Sequence, residues 1–242
     1  MILIAGGKGF IGSHVAKLFD GLDIGLYEIA DLKHGVDVCT VDGSKYDIII
    51  LLAANLGHDM AMFQDNLAIY RWAARQNAHI IYTSSAAVYA DNAEAHSERD
   101  VTPAPTIYGR SKLLGEQIIS QACPNRTILR LANVYGNGDG NGAIDIFKRG
   151  GNKIYGDGED VRDYVHVSVV AEAIKRIALN PAEYNKEIFN ISSFEPVTTN
   201  EAYMKYGNEG LAAEYQPSRG FDVAYSLLWN AKAKESGLID AN

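Results

Sequence analysis

The 242-residue chain is 47% hydrophobic and 21% charged, a composition that supports one large globular core and excludes a disordered or collagen-like chain. Its net charge of −8, with no dense basic patch, argues against nucleic acid and anionic membranes as partners. Two cysteines, Cys39 and Cys123, lie too far apart for a metal motif, and too few for a disulfide framework.

The first apolar run, Ile2–Ala5, has no basic segment before it and meets glycine at once. It reads as a strand and not as a signal peptide, and no later run reaches the length of a membrane span. A cytoplasmic protein is expected. Gly7, Gly9 and Gly12 then form G-x-G-x-x-G, and Gly6, Gly9 and Gly12 form G-x-x-G-x-x-G, opening a helix over about residues 11–20. Between a strand and a helix such glycines make a tight turn, admit a pyrophosphate to the backbone and let the helix pack closely. The helix N-terminus offers free N–H groups to the phosphates. A second strand is expected over Ile24–Tyr27, with Glu28 at its end, 16 residues after Gly12. A carboxylate there accepts hydrogen bonds from both adenosine ribose hydroxyls and repels a 2′-phosphate, which favours NAD. No Lys or Arg stands within four residues of Glu28. Asp37-Val38 is expected to end a short strand beside the adenine.

Further strands are expected over Asp47–Ala53, His79–Ser84, Thr127–Leu131 and Glu187–Ile191, with helices at about 59–77, 107–122, 168–179 and 199–206. Alternating strands and helices predict an α/β fold with a doubly wound parallel sheet. On the helix at 107–122, Thr106 is the expected cap, and Tyr108 and Lys112 form an i, i+4 pair. A lysine ammonium beside a phenol lowers its pKa and makes a general acid/base for an alcohol or ketone. Thr83, Ser84 and Ser85 end a strand on the side where such sheets bind ligands, within reach of the same substrate oxygen. After Leu131 the sequence turns rich in Gly, Asn and Asp and reads as a loop-built substrate region. Within it, "FKRG" at 147–150 reads as a solvated helix end.

These motifs, with "DIIILLAAN" at 47–55, "DNLAIY" at 65–70, "YTSSAAVY" at 82–89, "RLANVYG" at 130–136, "IYGDGEDVRDYVHV" at 154–167 and "FNIS" at 189–192, resemble the extended short-chain dehydrogenase/reductases. Within them the likeness is to the NAD-dependent nucleotide-sugar epimerase/dehydratase family. The resemblance implies a Rossmann-like NAD-binding domain over residues 1–135, rejoined in part by 153–192, and a small substrate-binding region over 136–242. It implies that Gly6, Gly9, Phe10, Ile11 and Gly12 hold the pyrophosphate, Glu28 the ribose, and Asp37 and Val38 the adenine. Ala53, Ala54, Asn66 and Thr83 would line the cofactor groove, and Leu131 and Ala132 would lie near the nicotinamide. Tyr108 would be the base, Lys112 would also hold the nicotinamide ribose, and Ser85 would assist. Asn133, Tyr155, Arg162 and Arg219 would bind the nucleoside diphosphate of the substrate.

Family dehydratases carry Asp-Glu directly after the hydroxyl residue, where this chain has Ala86-Ala87. The resemblance therefore implies epimerisation of a UDP-glucose/UDP-galactose type sugar at C4 with retained NAD. A dehydratase or reductase of the same family, or a non-catalytic NAD-binding sensor, are the alternatives. Helices near 59–77 and 107–122 resemble those that pair across the family's homodimer. The chain departs from the family in being short after the second strand and between Tyr135 and Ile154, and in carrying His58 where a lysine is frequent.

Overall fold

A computed structural model describes residues 1–20, 27–100, 104–220 and 222–240. Its strands and helices run β1 (Ile2–Ala5), α1 (Phe10–Asp20), β2 (Tyr27–Ala30), β3 (Ile48–Leu51), α2 (Met60–Ala73), β4 (His79–Ser85), α3 (Ile107–Ala122) and β5 (Arg126–Leu131). There follow β6 (Asn133–Tyr135), α4 (Ala143–Lys148), β7 (Lys153–Tyr155), β8 (Val161–Arg162), β9 (Tyr164–His166), α5 (Val167–Leu179) and β10 (Glu187–Ile191). The chain closes with β11 (Val197–Thr198), α6 (Thr199–Tyr206), β12 (Glu214–Gln216), β13 (Tyr225–Ser226) and α7 (Ala231–Glu235). Six strands make one parallel sheet in the order β10-β5-β4-β3-β1-β2.

Because neighbouring side chains on a strand point to opposite faces, the apolar runs supply two cores at once. Ile2, Ile4, Ile48 and Ile50 face the layer of α1 and α5, while Leu3, Ala5, Ile49 and Leu51 face Tyr70 and Trp72 of α2 and Ile119 of α3. The result is the expected three-layer α/β fold. The strand at Glu187–Ile191 and the helices at 107–122 and 199–206 stand at their expected residues. The β3 strand is shorter than expected, and β4 runs one residue further, to Ser85. Of the strand expected over Ile24–Tyr27, residues 24–26 lie outside the described residues, and β2 instead extends forward to Ala30.

Two other expectations are corrected. Asp37-Val38 does not end a strand: the Asp37 side chain accepts a hydrogen bond from the Cys39 N–H at 2.9 Å and caps a single 3-10 turn, while Val38 is buried in the core with Ala30 and Trp72. The "FKRG" segment is not a solvated helix end. Lys148 Nζ donates to the Gly136 carbonyl at 2.7 Å, and Arg149 Nη1 donates to the carbonyls of Gly138 and Gly140. Asp145, fully buried, accepts from the N–H groups of Gly136 and Gly138. These bonds order the glycine-rich loop and lay it on Phe10, so that Gly136 and Gly140 have no room for a side chain beside that ring.

A third, smaller core of Ile144, Phe147, Ile154, Tyr164, Ala202 and Tyr203 holds α4, α6, β7 and β9 together beyond the sheet's carboxyl ends. On the sheet's outer edge, the Asn190 N–H of β10 donates to Glu98 Oε1 at 2.8 Å and the Ile188 carbonyl accepts from Lys232 Nζ at 2.7 Å. Among the described residues no helix is long and apolar enough to cross a membrane.

Candidate active site

Strand order reverses between β1 and β3, with β2 lying on the far side of β1. The crevice beyond the carboxyl ends at such a point is where open α/β sheets bind ligands. Here Gly6 leaves β1 with φ +85°, and a Cβ on it would come within 2.7 Å of the Ala53 N. A Cβ on Gly12 would meet the Gly6 carbonyl oxygen at 2.3 Å. The turn Gly6–Gly9 therefore closes against both α1 and the Ala53-Ala54 segment only because side chains are missing. Phe10 and Ile11 begin α1 directly after it, so their N–H groups belong to the unsatisfied first turn of a helix. The cradle fits a dinucleotide pyrophosphate.

The acidic residue beside this cradle is Asp31, not Glu28. Ala30 pairs with Ala5, so β2 ends level with β1 and Asp31 follows at once. The Lys8 N–H, within the glycine turn, donates to Asp31 Oδ2 at 2.9 Å. Glu28 lies earlier, opposite Leu3, and its two oxygens accept from Lys45 Nζ at 2.8 Å and from Tyr46 Oη at 2.6 Å. Those donors hold the Glu28 carboxyl below its ordinary range. A lysine distant in sequence thus occupies the group that local sequence left without a cation. Asp31 stands 19 residues after Gly12, close to the usual spacing of about 20 for a ribose-binding acid, and that spacing could have found it. Asn66 is fully buried and does not face the groove. It accepts from the Asn55 N–H at 2.8 Å and donates to the Asn55 carbonyl at 3.0 Å, pinning the segment that follows Ala53 and Ala54.

Tyr108 and Lys112 stand on α3, beside the end of β4. Thr106 caps α3 by accepting from the Gly109 N–H at 3.0 Å. A Cβ on Gly109 would lie 2.0 Å from the Ala87 carbonyl oxygen, so this glycine lets α3 press against the turn that carries Ser85. Tyr108 and Ser85 consequently line one cleft of about 220 Å³. Lys112 is buried, donates from Nζ to the Thr83 carbonyl at 2.9 Å, and lies 5.9 Å from the Tyr108 ring centre. Thr83 itself is buried and donates from Oγ1 to the Leu51 carbonyl at 3.1 Å, so it enters the site through its backbone. Burial drives the Lys112 pKa down to about 8, opposed by Glu116. Burial also raises the Tyr108 pKa, opposed by hydrogen bonding with Ser85. Burial of the phenol thus works against the lowering expected from Lys112, whose Nζ lies 5.9 Å from the ring centre.

Leu131, Ala132, Asn133 and Arg162 also line the cleft, with His58, Tyr89 and His96. Among the described lining residues there is no Asp or Glu. Asn133 is exposed, and its Nδ2 donates to the Asp163 carbonyl at 3.1 Å. The two arginines are not brought together as an open clamp. Arg162 donates to the carbonyls of Val161, Val223 and Ala224 and to Asp160. Arg219 lies outside the cleft lining, forks onto Asp222, and places its guanidinium 4.3 Å from the Tyr155 ring centre.

Residues 2–192 match the model of the NAD dependent epimerase/dehydratase family. The chain belongs to that family. A Methanocaldococcus jannaschii relative, provisionally named a UDP-glucose 4-epimerase, is 26% identical across 98% of this chain and 92% of its own length. The crystal structure of Thermotoga maritima UDP-glucose 4-epimerase with UDP-glucose is also 26% identical, covers 98% of this chain and 92% of its own, and superposes with a TM-score of 0.78. A Streptomyces venezuelae dTDP-glucose 4,6-dehydratase structure with NAD bound has a TM-score of 0.81 at 19% identity, covering 97% of this chain and 89% of its own. At that identity the likeness concerns the fold alone. Proteins named for both reactions share this fold.

Proposed function

We propose that this family member is an NAD-dependent epimerase acting at C4 of a nucleoside-diphosphate hexose of the UDP-glucose/UDP-galactose type. The observation that carries the reading is a cleft lined by Ser85, Tyr108, Ala86 and Ala87, with no carboxylate in its described lining and with the Nζ of buried Lys112 5.9 Å from the Tyr108 ring centre. Dehydration needs an acid to protonate the departing hydroxyl, and the alanines supply none. NAD, when bound, provides reversible acceptance of a hydride at C4. Tyr108 Oη takes the proton from the C4 hydroxyl and later returns it, Ser85 holds the same oxygen, and Lys112 offsets the charge left on the phenol. A 4-keto sugar that turns over in a cleft walled by Ala86, Ala87 and Ala132 meets few obstructing side chains. Tyr155, backed by Arg219, offers a flat platform for the nucleotide base, and the Arg162 guanidinium in the cleft lining brings its positive charge to the diphosphate beside Asn133. Residues 136–242 are the substrate side of this division.

The test is a product screen of the purified protein with NAD against UDP-, dTDP-, GDP- and CDP-hexoses, read by chromatography with mass detection. A new peak of unchanged mass supports the proposal. Loss of water, or a stoichiometric change in cofactor absorbance, moves the assignment to a dehydratase or a reductase.

For the cofactor, Asp31 is the proposed ribose ligand, with its carboxylate set against a 2′-phosphate. Asp31→Asn is expected to raise the NAD dissociation constant about tenfold or more, the worth of a charged hydrogen bond, and Glu28→Gln to leave it unchanged. Equal effects in calorimetric titration would reject the assignment. A homodimer is proposed through α2 and α3, which pack together and leave Met60 exposed and Leu67, Leu114 and Ile118 half-buried on their surfaces. Sedimentation equilibrium at micromolar protein is expected to return twice the chain mass, and a monomer mass rejects it. Two free thiols, Cys39 and the buried Cys123, suit the reducing cytoplasm as the protein's compartment.

A further inference from the structure

Behind Lys112 lies a second pair of charges that proton transfer at Tyr108 does not use. Tyr108, Lys112 and Glu116 follow one another at intervals of four along α3, so they share one face of the helix. Glu116 is only 4% exposed, and Arg130 of β5 only 7%. Arg130 Nε donates to Glu116 Oε1 at 2.9 Å and Nη2 donates to Oε2 at 2.7 Å, a bidentate fork. The third nitrogen, Nη1, donates to Tyr89 Oη at 2.7 Å, and Tyr89 Oη donates to Asn190 Oδ1 at 2.8 Å. The Tyr89 ring stacks on His96 with centroids 4.7 Å apart and planes 2° from parallel, and both rings line the cleft. One buried ion pair therefore joins the helix bearing the acid/base pair to other residues that line the cleft.

A buried ion pair seldom stabilises a fold more than apolar side chains of the same volume would. Its place one turn beyond Lys112 gives it a use. We propose that Glu116, held by Arg130, is a positioning residue whose carboxylate keeps the Lys112 side chain charged and aimed at Tyr108. The proposal rests on the reading of Tyr108 and Lys112 as the acid/base pair.

The surroundings of Lys112 leave that task to Glu116. On α3 its neighbours are Tyr108 one turn before and Glu116 one turn after, and from β4 it is faced by the Tyr82 ring, 5.2 Å from Nζ, and the Thr83 carbonyl. The α2 helix contributes Tyr70, which packs on Tyr82, and the turn of residues 86–88 contributes no titratable group. β5 contributes Arg130, already committed to the fork. Glu116 is thus the one carboxylate in this set. Burial favours loss of the lysine proton, and Glu116 is the charge that opposes it. The fork fixes where that negative charge sits, and the Thr83 carbonyl fixes where the ammonium points.

The test reads the lysine directly, with no nucleotide sugar present, so failure of the product screen would leave its outcome intact. Protein carrying lysine labelled with carbon-13 at Cε is titrated by NMR, and the Lys112 signal is identified by its loss in Lys112→Met. The wild-type midpoint is expected near 8. In Glu116→Gln it falls by about one pH unit, the size of shift that one nearby charge produces, while Glu116→Asp retains the wild-type midpoint. If Glu116→Gln alone does not fold, because Arg130 is left buried and unpaired, the neutral double variant Glu116→Gln/Arg130→Gln is read in its place and shows a smaller fall in the same direction, since loss of the Arg130 charge offsets part of it. A Lys112 midpoint unchanged in the folded variant lacking the Glu116 charge overturns the proposal, because a purely structural ion pair would not move it.

Discussion

Tyr108→Phe is expected to lower turnover of the nucleotide sugar by about 10²–10⁴-fold, the usual contribution of a positioned acid/base group, while leaving the fold and NAD affinity intact. The substitution removes one oxygen from a half-buried ring whose hydroxyl interacts with Ser85. The ring keeps its place on α3, and Lys112 keeps its bond to the Thr83 carbonyl. A structural tyrosine would show the opposite pattern, with a lower melting temperature and near-normal turnover. Steady-state kinetics beside thermal denaturation of the same preparation separates the two. Retention of full activity would remove Tyr108 from the mechanism, and with it the reading of the cleft.

The pH dependence of stability is expected to hide two opposing slopes of nearly equal size. Asp163 is buried behind Arg162, one of its carboxylate oxygens has no hydrogen-bond partner, and burial raises its pKa from 3.8 to about 6. A raised carboxyl favours the native state below pH 3.8, and that contribution disappears as pH rises through about 6. His79 is buried against Thr127, its ring nitrogen 2.9 Å from the Thr127 hydroxyl, and burial lowers its pKa from 6.5 to about 4. A lowered imidazole contributes above pH 6.5, and its contribution is lost as pH falls through about 4. Each slope is worth about 3 kcal/mol across the shared window, at 1.36 kcal/mol per unit. Asp163→Asn should therefore lose stability steeply on acidification from pH 6.5 to 4, and His79→Asn should lose much less or gain. For a chain of this size the two melting temperatures diverge by about 6–12 °C per slope removed. Exposed carboxylates held low by local donors, such as Asp42 and Asp100, add an acid-side loss common to both variants. Parallel melting curves in the two variants would show that neither group is perturbed by burial.

The fold was legible because a buried parallel sheet needs apolar runs, which β1 and β3 carry throughout and β4, β5 and β10 carry with polar residues such as Thr83, Arg130 and Asn190 among them. β2 was misplaced for the complementary reason. It is an edge strand, its burial alternates, and Glu28 can sit inside it with its side chain exposed. A run judged by continuous hydrophobicity stops at Tyr27, which assigned Glu28 to the strand end that Asp31 follows. The places of Ser85, Tyr108 and Lys112 were legible because a strand end and a helix turn fix them, while their proposed roles came from the glycine fingerprint and the family resemblance beside them. What spacing could not convey was burial, which acts on Lys112 and Tyr108 through the approach of Gly109 to Ala87. Nor could it convey that Arg162 and Arg219 spend their donors on Val223, Ala224 and Asp222, partners supplied by tertiary contacts. Glu116 lies on the helix expected over 107–122 and Arg130 opens the "RLANVYG" motif, but nothing local told that the two meet.

The outer edge of β10 has a meaning for how this chain behaves among copies of itself. An open parallel sheet ends in a row of unpaired backbone groups that can template another strand. Here two of those groups are taken by single charged side chains, Glu98 on the Asn190 N–H and Lys232 on the Ile188 carbonyl. Glu98 comes from the segment before α3 and Lys232 from α7, so the edge is sealed only once a middle segment and the C-terminal helix have both arrived. A chain cut before α7 would keep its crevice residues and lose half of that seal. Its fate would be decided by strand addition and precipitation rather than by chemistry.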